Sequence, residues 1–245
     1  MYSLLTVLNA SGARSTSAPS SGRRAVASRS MPGCCSTGAY SEFFDEKLAH
    51  RDAERYRSKG LKGAGKRLVD LIAARGVNGV DVLEVGGGIG ALQLELLQRG
   101  AARTTNAELS PAYEGEAAEL LRERSLTQCV DRRIVDIAED PDAVPPADVV
   151  LLHRVVCCYP DYERLLGTAA RKARRLLAFS FPPDVAVAHA AMRVLNLWPR
   201  LRGCDFRSYV HPESEMLATV ERNGFRIVSR ERSGIWRIAL LERAS

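Results

Sequence analysis

Between Val82 and Ala101 the chain runs from an apolar strand through four glycines into a Leu-rich helix, VLEVGGGIGALQLELLQRGA. Val82, Leu83 and Val85 favour a buried strand, whereas Gly86, Gly87, Gly88 and Gly90 carry no Cβ to keep another molecule away from the backbone. A ligand is expected to lie against this loop. Downstream, the segments TTNAEL, RRIVDI, ADVVLLH and RLLAFSF alternate with helical stretches such as YEGEAAELLRER and YERLLGTAARKA. Strand followed by helix, repeated, predicts an α/β fold: a Rossmann-like, doubly wound, mostly parallel sheet between two helical layers.

Helices are expected ahead of the sheet, with Ser41 capping SEFFDEKLAHRDAERYRSKG and a second helix over KRLVDLIAARG. After the fifth strand the alternation breaks. VAVAHAAMRVLNLW places Val185, Ala188, Met192, Leu195 and Trp198 on one apolar stripe, and residues 183–210 are expected to form an acceptor lid. A further helix starts near Pro212 and stops at Gly224, and a hairpin turns around Ser233 and Gly234.

At 245 residues and 46% apolar, the chain can bury one sizeable core, so residues 39–245 are read as a single domain. The first 41 residues hold four arginines and no acid, which accounts for most of the net charge of +6. Residues 1–38 are read as a disordered extension or a wrongly chosen start ahead of Met31. Their composition also resembles an organellar transit peptide; without import a cytoplasmic location is expected. The near-neutral remainder gives no basic face for nucleic acid, and the Arg171, Lys172, Arg174 and Arg175 cluster reads as a solvated helix end. Six cysteines without a CxxC spacing predict free thiols and no metal site. No run of 18 apolar residues exists to span a membrane. Oligomeric state is not legible.

In open parallel sheets ligands sit beyond the carboxyl ends of the strands, where strand order reverses. Glu108, Asp136 and His153 each end or follow a strand and so join the glycine loop at one crevice. Two readings fit that loop. Gly86, Gly88 and Ala91 satisfy a dinucleotide fingerprint, which would make the chain an NAD(P)-dependent oxidoreductase. Glu84 with Gly86, Gly88 and Gly90 satisfies an acid-led glycine pattern instead. A carboxylate there would repel a pyrophosphate but attract the ammonium and sulfonium of S-adenosylmethionine. Glu108, with Leu109 beside it, is placed to accept ribose hydroxyls; Asp136, with Ile137 beside it, to accept the adenine amino group.

His153 emerges at the crevice as a cofactor contact or proton acceptor, and His211 is a second candidate base. Tyr159, Trp198 and Arg207 are expected to line the acceptor pocket, and Cys157 and Cys158 to pack as small apolar side chains. Tyr40, Phe43, Phe44 and Tyr56 either staple the N-terminal helices to the sheet or cover the cofactor.

The succession VLEVGGGIG, NAELSP, VDIAED and ADVVLLHRVVCCYPDYERLL resembles, in order and spacing, the motifs of class I S-adenosylmethionine-dependent methyltransferases. The resemblance implies a seven-stranded sheet containing one antiparallel strand, consistent with the C-terminal hairpin. It also implies methyl transfer to a small-molecule acceptor, at oxygen, with S-adenosylhomocysteine leaving. The C-terminal pattern from LAFSFPPD to GIWRIALLER resembles the magnesium-protoporphyrin O-methyltransferase branch. A non-catalytic protein that binds an adenosyl ligand is the alternative from outside the enzymes.

Overall fold

The computed structural model describes residues 37–244. The readings placed on residues 1–36, a transit peptide or a start at Met31, lie outside the described residues. Seven strands form one sheet: β1 (Asp81–Val85), β2 (Arg103–Glu108), β3 (Val130–Ile134), β4 (Ala147–His153), β5 (Ala173–Phe181), β6 (Phe225–Ser233) and β7 (Trp236–Arg243). Their order is β3-β2-β1-β4-β5-β7-β6, with every pairing parallel except the two made by β7. The expected Rossmann-like α/β sheet with a C-terminal hairpin is therefore what folds.

The inner strands are buried on both faces, which is why DVLEV, DVVLL and LLAFSF are near-continuous apolar runs. On one face Leu83, Val85, Val150, Leu152, Leu177 and Phe179 pack against α6 (Tyr162–Lys172) and α9 (Glu213–Arg222). On the other, Val82, Val149, Leu151, Leu176 and Ala178 meet α3 (Gly63–Ala73) and α4 (Ala91–Gln98). α2 (Glu46–Lys59) and α5 (Glu114–Glu123) pack beside them through Ala49, Ala53, Tyr56, Leu120 and Leu121. Three layers result.

Ahead of the sheet the chain departs from the expected cap. Ser41 lies inside α1 (Thr37–Phe43), and the cap of the following helix is Asp45, whose carboxylate accepts the Leu48 N–H at 2.9 Å. Two helices stand where one was read, because the chain breaks at Phe44 and Asp45.

Residues 183–210 fold as α7 (Ala186–Leu195) and α8 (Leu197–Leu201), followed by an irregular segment. No residue of α7 is buried. Of the expected stripe, Ala188, Met192, Leu195 and Trp198 are only half-buried and Val185 is exposed, while a second apolar row faces solvent. Asn196 ties the helices down: its amide donates to the Ser208 carbonyl and accepts the Ser208 N–H, both at 2.8 Å.

Candidate active site

The strand order reverses at β1, whose neighbours β2 and β4 lead the chain to opposite ends of the sheet. The carboxyl ends of β1 and β4 therefore open into a crevice, bounded by the glycine turn on one side and His153 to Cys158 on the other. The two walls approach closely: a Cβ added at Gly86 would come within 2.6 Å of Val155 Cγ2.

Much of the glycine requirement arises inside the protein. A side chain at Gly87 would overlap Asn106 Nδ2 and lie 2.7 Å from Glu84 Cδ, so the turn is pressed flat onto β1 and β2. Gly88 has φ +55°, and a Cβ there would meet the Tyr113 ring at 3.2 Å. Gly90 closes the turn as the residue before α4.

Glu84, expected to face a cationic donor, lies beneath this turn at 1% exposure. One carboxyl oxygen accepts the Gln93 N–H at 3.0 Å. Burial, with Glu108 adding to it, pushes its pKa up to about 8, so at neutral pH it is mainly the uncharged acid. The charge argument that singled out Glu84 does not survive, because Gly87 seats the backbone on top of the side chain. Glu84, Asn106 and Arg132 pair in register across β1, β2 and β3 as one buried polar row. Arg132 Nη2 donates to the Gly88 carbonyl and to Glu114, supporting the turn from below. Asn106 Oδ1 and Arg132 Nη1 have no hydrogen-bond partner.

Glu108 stands at the end of β2 beside the turn. Its Oε2 accepts the Gly88 N–H at 2.8 Å, and its Oε1 accepts the N–H groups of Leu109 and Ser110 at 2.8 and 3.0 Å. These bonds orient the carboxylate, and of its roughly four lone pairs one on Oε2 is left for a ligand's hydroxyl. Leu109 packs against the aromatic cluster of Tyr40, Phe43, Phe44 and Phe206. That cluster is how α1 reaches the crevice: Tyr40 donates to the Cys158 carbonyl at 2.7 Å, and Ser110 donates to the Phe44 carbonyl at 2.6 Å. α1, with Phe44 just beyond its end, thus bridges the residues after β2 and after β4.

Asp136 follows β3, as expected, but one of its oxygens accepts the Ala138 N–H and the other the Tyr159 hydroxyl, both at 2.9 Å. Ile137 is 1% exposed and belongs to the main core, so a contact from it would run through backbone. Tyr159, expected to line an acceptor pocket, is likewise a core residue at 4% exposure whose hydroxyl holds the Asp136 turn.

Both candidate bases are committed elsewhere. His153 Nδ1 lies 2.8 Å from Ser180 Oγ, and its Nε2 points at α3, where a Cβ at Gly65 would be 3.3 Å away. Burial, reinforced by Arg154, drops its pKa to about 3, leaving a neutral ring. His211 Nε2 donates to the Val156 and Tyr159 carbonyls at 3.1 and 2.9 Å, between the rings of Tyr162 and Tyr209, and burial lowers its pKa too. It braces the turn after β4 rather than serving an acceptor. Cys157 and Cys158 sit in that turn with sulfurs 3.8 Å apart. The hydrogen bond between them holds Cys157 below an ordinary thiol pKa and raises Cys158. Among the described residues no group of three metal-ligating side chains occurs.

Trp198 stacks under the Arg202 guanidinium, 3.9 Å from its ring centre, and Arg207 donates to the carbonyls of Cys204 and Phe206. Neither is brought to the glycine turn by any bond of its own.

Two residues gain importance that sequence reasoning gave them only in passing or not at all. Arg154 has φ +63°, a left-handed conformation rare for a side chain of its size. The residue is exposed at the end of β4, its guanidinium lies over the Trp236 ring at 4.9 Å, and with Arg51 and Arg55 it is one of the cations whose charge acts on Asp52 of α2. Surrounding protein lowers its pKa, and burial raises that of Asp52. No sequence pattern signals the positive φ, and Asp52 and Arg154 stand about a hundred residues apart in the chain. A methyl donor with ribose hydroxyls and an ammonium would find matching chemistry here. Glu108 accepts, Asp52 is acidic, and the glycine turn leaves backbone bare.

A methyltransferase-domain family profile matches residues 49–230. No curated protein matches the sequence significantly. Among solved structures, magnesium protoporphyrin IX methyltransferase from Synechocystis PCC 6803, with bound S-adenosylhomocysteine, aligns at 22% identity. The alignment covers 85% of this chain and 100% of that one, with a TM-score of 0.67. An O-methyltransferase family protein from Burkholderia thailandensis aligns at 17% identity, covering 82% and 61%, with a TM-score of 0.64. Human N-acetylserotonin methyltransferase in complex with S-adenosylmethionine aligns at 16%, covering 84% and 59%, with a TM-score of 0.59. At these identities the likeness is one of fold.

Proposed function

Since the chain belongs to the methyltransferase-domain family and is an S-adenosylmethionine-dependent methyltransferase, we propose that it methylates a carboxylate oxygen of a small-molecule acceptor. One observation carries this choice of atom. His153, a candidate to remove an acceptor's proton, is buried with its pKa dropped to about 3 and its two ring nitrogens turned to Ser180 and to α3, and His211 spends its Nε2 on two backbone carbonyls. A carboxylate is already ionised at neutral pH and needs no base, whereas a phenol or alcohol gains from one. Arg154, exposed at the crevice and without an ion pair shorter than 4 Å among the described residues, supplies the complementary charge.

The donor brings a methyl group already activated by its sulfonium. What remains for the protein is to bind, align and exclude water. In this reading Glu108 holds the donor's ribose, the backbone of Gly86 to Gly90 lies along it, and Asp136 with Ile137 borders the adenine. Arg132, through the Gly88 carbonyl, keeps the turn in shape. Arg154, fixed by its backbone and the Trp236 ring, orients the acceptor's carboxylate, and α1 with Phe206 keeps bulk water from the crevice. The acceptor of the Synechocystis enzyme, magnesium protoporphyrin IX by its name, puts porphyrins on the list to be tried.

The test uses the full chain with methyl-labelled donor and a panel of aromatic carboxylates, porphyrins, phenols and amines. A methyl ester releases its label as methanol in mild alkali, and methyl ethers and methylamines do not. Label that is volatile after alkali, and lost in Arg154→Met, supports the proposal. Alkali-stable label would overturn the carboxylate while leaving methyl transfer in place. Tight S-adenosylhomocysteine binding without turnover on any acceptor would favour a non-catalytic binding protein.

A further inference from the structure

We propose that α7 and α8 form an interfacial patch that seats this protein on an anionic lipid bilayer. Val187, Ala190, Val194, Leu197 and Leu201 recur at alternating spacings of three and four, which gathers them on one side of the helical segment. All five face solvent, the four larger ones at 77, 66, 53 and 82% exposure. A contiguous apolar row of this kind is uncommon on a protein that meets only water. On the opposite side only Pro199 is buried and the rest is no more than half-buried, so the segment lies on the body of the domain without joining its core clusters.

Charge identifies the occupant. From Val185 to Gly203 the chain has no acid, and it carries Arg193, Arg200 and Arg202, all exposed. Arg193 and Arg200 precede Val194 and Leu201 by one residue, so they flank the apolar row, and Trp198 lies on the same segment beneath Arg202. An apolar face bordered by arginines with an aromatic ring is the pattern that rests at the headgroup boundary of a bilayer. A second copy of the chain fits less well. Face-to-face packing would crowd six arginines around the seam with no acid in either segment to offset them.

Neutral phosphatidylcholine vesicles and vesicles of phosphatidylcholine with phosphatidylglycerol, sedimented with the full chain, test the proposal. Binding to the anionic vesicles is expected, weakened by salt. The basic residues 1–41 also attract anionic lipid, so the decisive variants leave them untouched. Val187→Ser with Leu201→Ser retains every charge and is expected to lose most of the bound fraction. Arg193→Gln with Arg200→Gln and Arg202→Gln is expected to lower partitioning on the order of a hundredfold, at about fivefold per cation. These side chains are exposed, and unchanged circular dichroism checks that the variants remain folded. Wild-type protein left in the supernatant, or sedimentation unaffected by both variants, overturns the proposal. So does a dimer in analytical ultracentrifugation that Leu201→Ser dissociates, since that would make a second copy the occupant. Methyl transfer is not required for any of these readouts.

Discussion

His153 and Glu84 are buried in forms that an unfolded chain would not keep, and they couple stability to pH with opposite signs. Unfolded histidine gains its proton near pH 6.5, whereas His153 stays neutral down to about 3. Across that window the unfolded state binds more protons, so stability present above 6.5 is lost as pH falls. Glu84 holds its proton up to about 8 when folded, against 4.5 unfolded, so its contribution is lost as pH rises from about 4.5 through about 8. Urea midpoints measured across pH should therefore fall less on the acid side in His153→Gln and less on the alkaline side in Glu84→Gln. Curves identical to wild type would contradict both burial assignments. Glu108→Ala should leave the fold intact and weaken S-adenosylhomocysteine by about tenfold or more in calorimetry, the size expected for losing hydrogen bonds to a charged group. Position along the chain was enough to bring Glu84 and Glu108 to strand ends. It was not enough to separate them, because only the pressing of Gly87 onto β1 decides that one lies under the turn and the other beside it.

Asp45 illustrates what an element needs to start. Its carboxylate bonds the Leu48 N–H at the head of α2, and Asp45→Ala should cost about 1 kcal/mol of stability in urea unfolding. That helix carries Asp52 to the crevice and Tyr56 to the hydroxyl contact with Glu95, so a frayed start is felt at the site. Strands β1, β4 and β5 were readable because burial on both faces leaves apolar runs with clear ends, and the polar β2 and the exposed edge strand β3 were readable from the alternation with helices around them. Residues 183–210 were not, since their two apolar rows have the same helical period and the sequence does not say which one the domain covers. Tyr159 and His211 misled for a related reason: a polar aromatic next to a strand end looks identical whether its tip reaches a ligand or a carbonyl.

For the whole molecule, stability rests on the two apolar layers that sandwich β1, β4 and β5. Phe179 is fully buried in β5 and packs against Phe181 with ring centres 5.4 Å apart. Phe179→Ala should remove about 3–5 kcal/mol, a large share of the roughly 5–15 kcal/mol that holds a domain of this kind together. A two-state fit of denaturant unfolding measures it, and a loss below about 1 kcal/mol would mean that the layer repacks around the gap. The hairpin was legible from its turn at Gly234, but its docking was not, because either strand of a hairpin can pair with β5. In the structure the later strand does so, and β7 lies between β5 and β6. Chain order and sheet order therefore disagree at this end. A nascent polypeptide that has released β6 but still holds β7 in the ribosome leaves the β5 edge open to any passing strand, and chaperone demand should peak during that interval of translation.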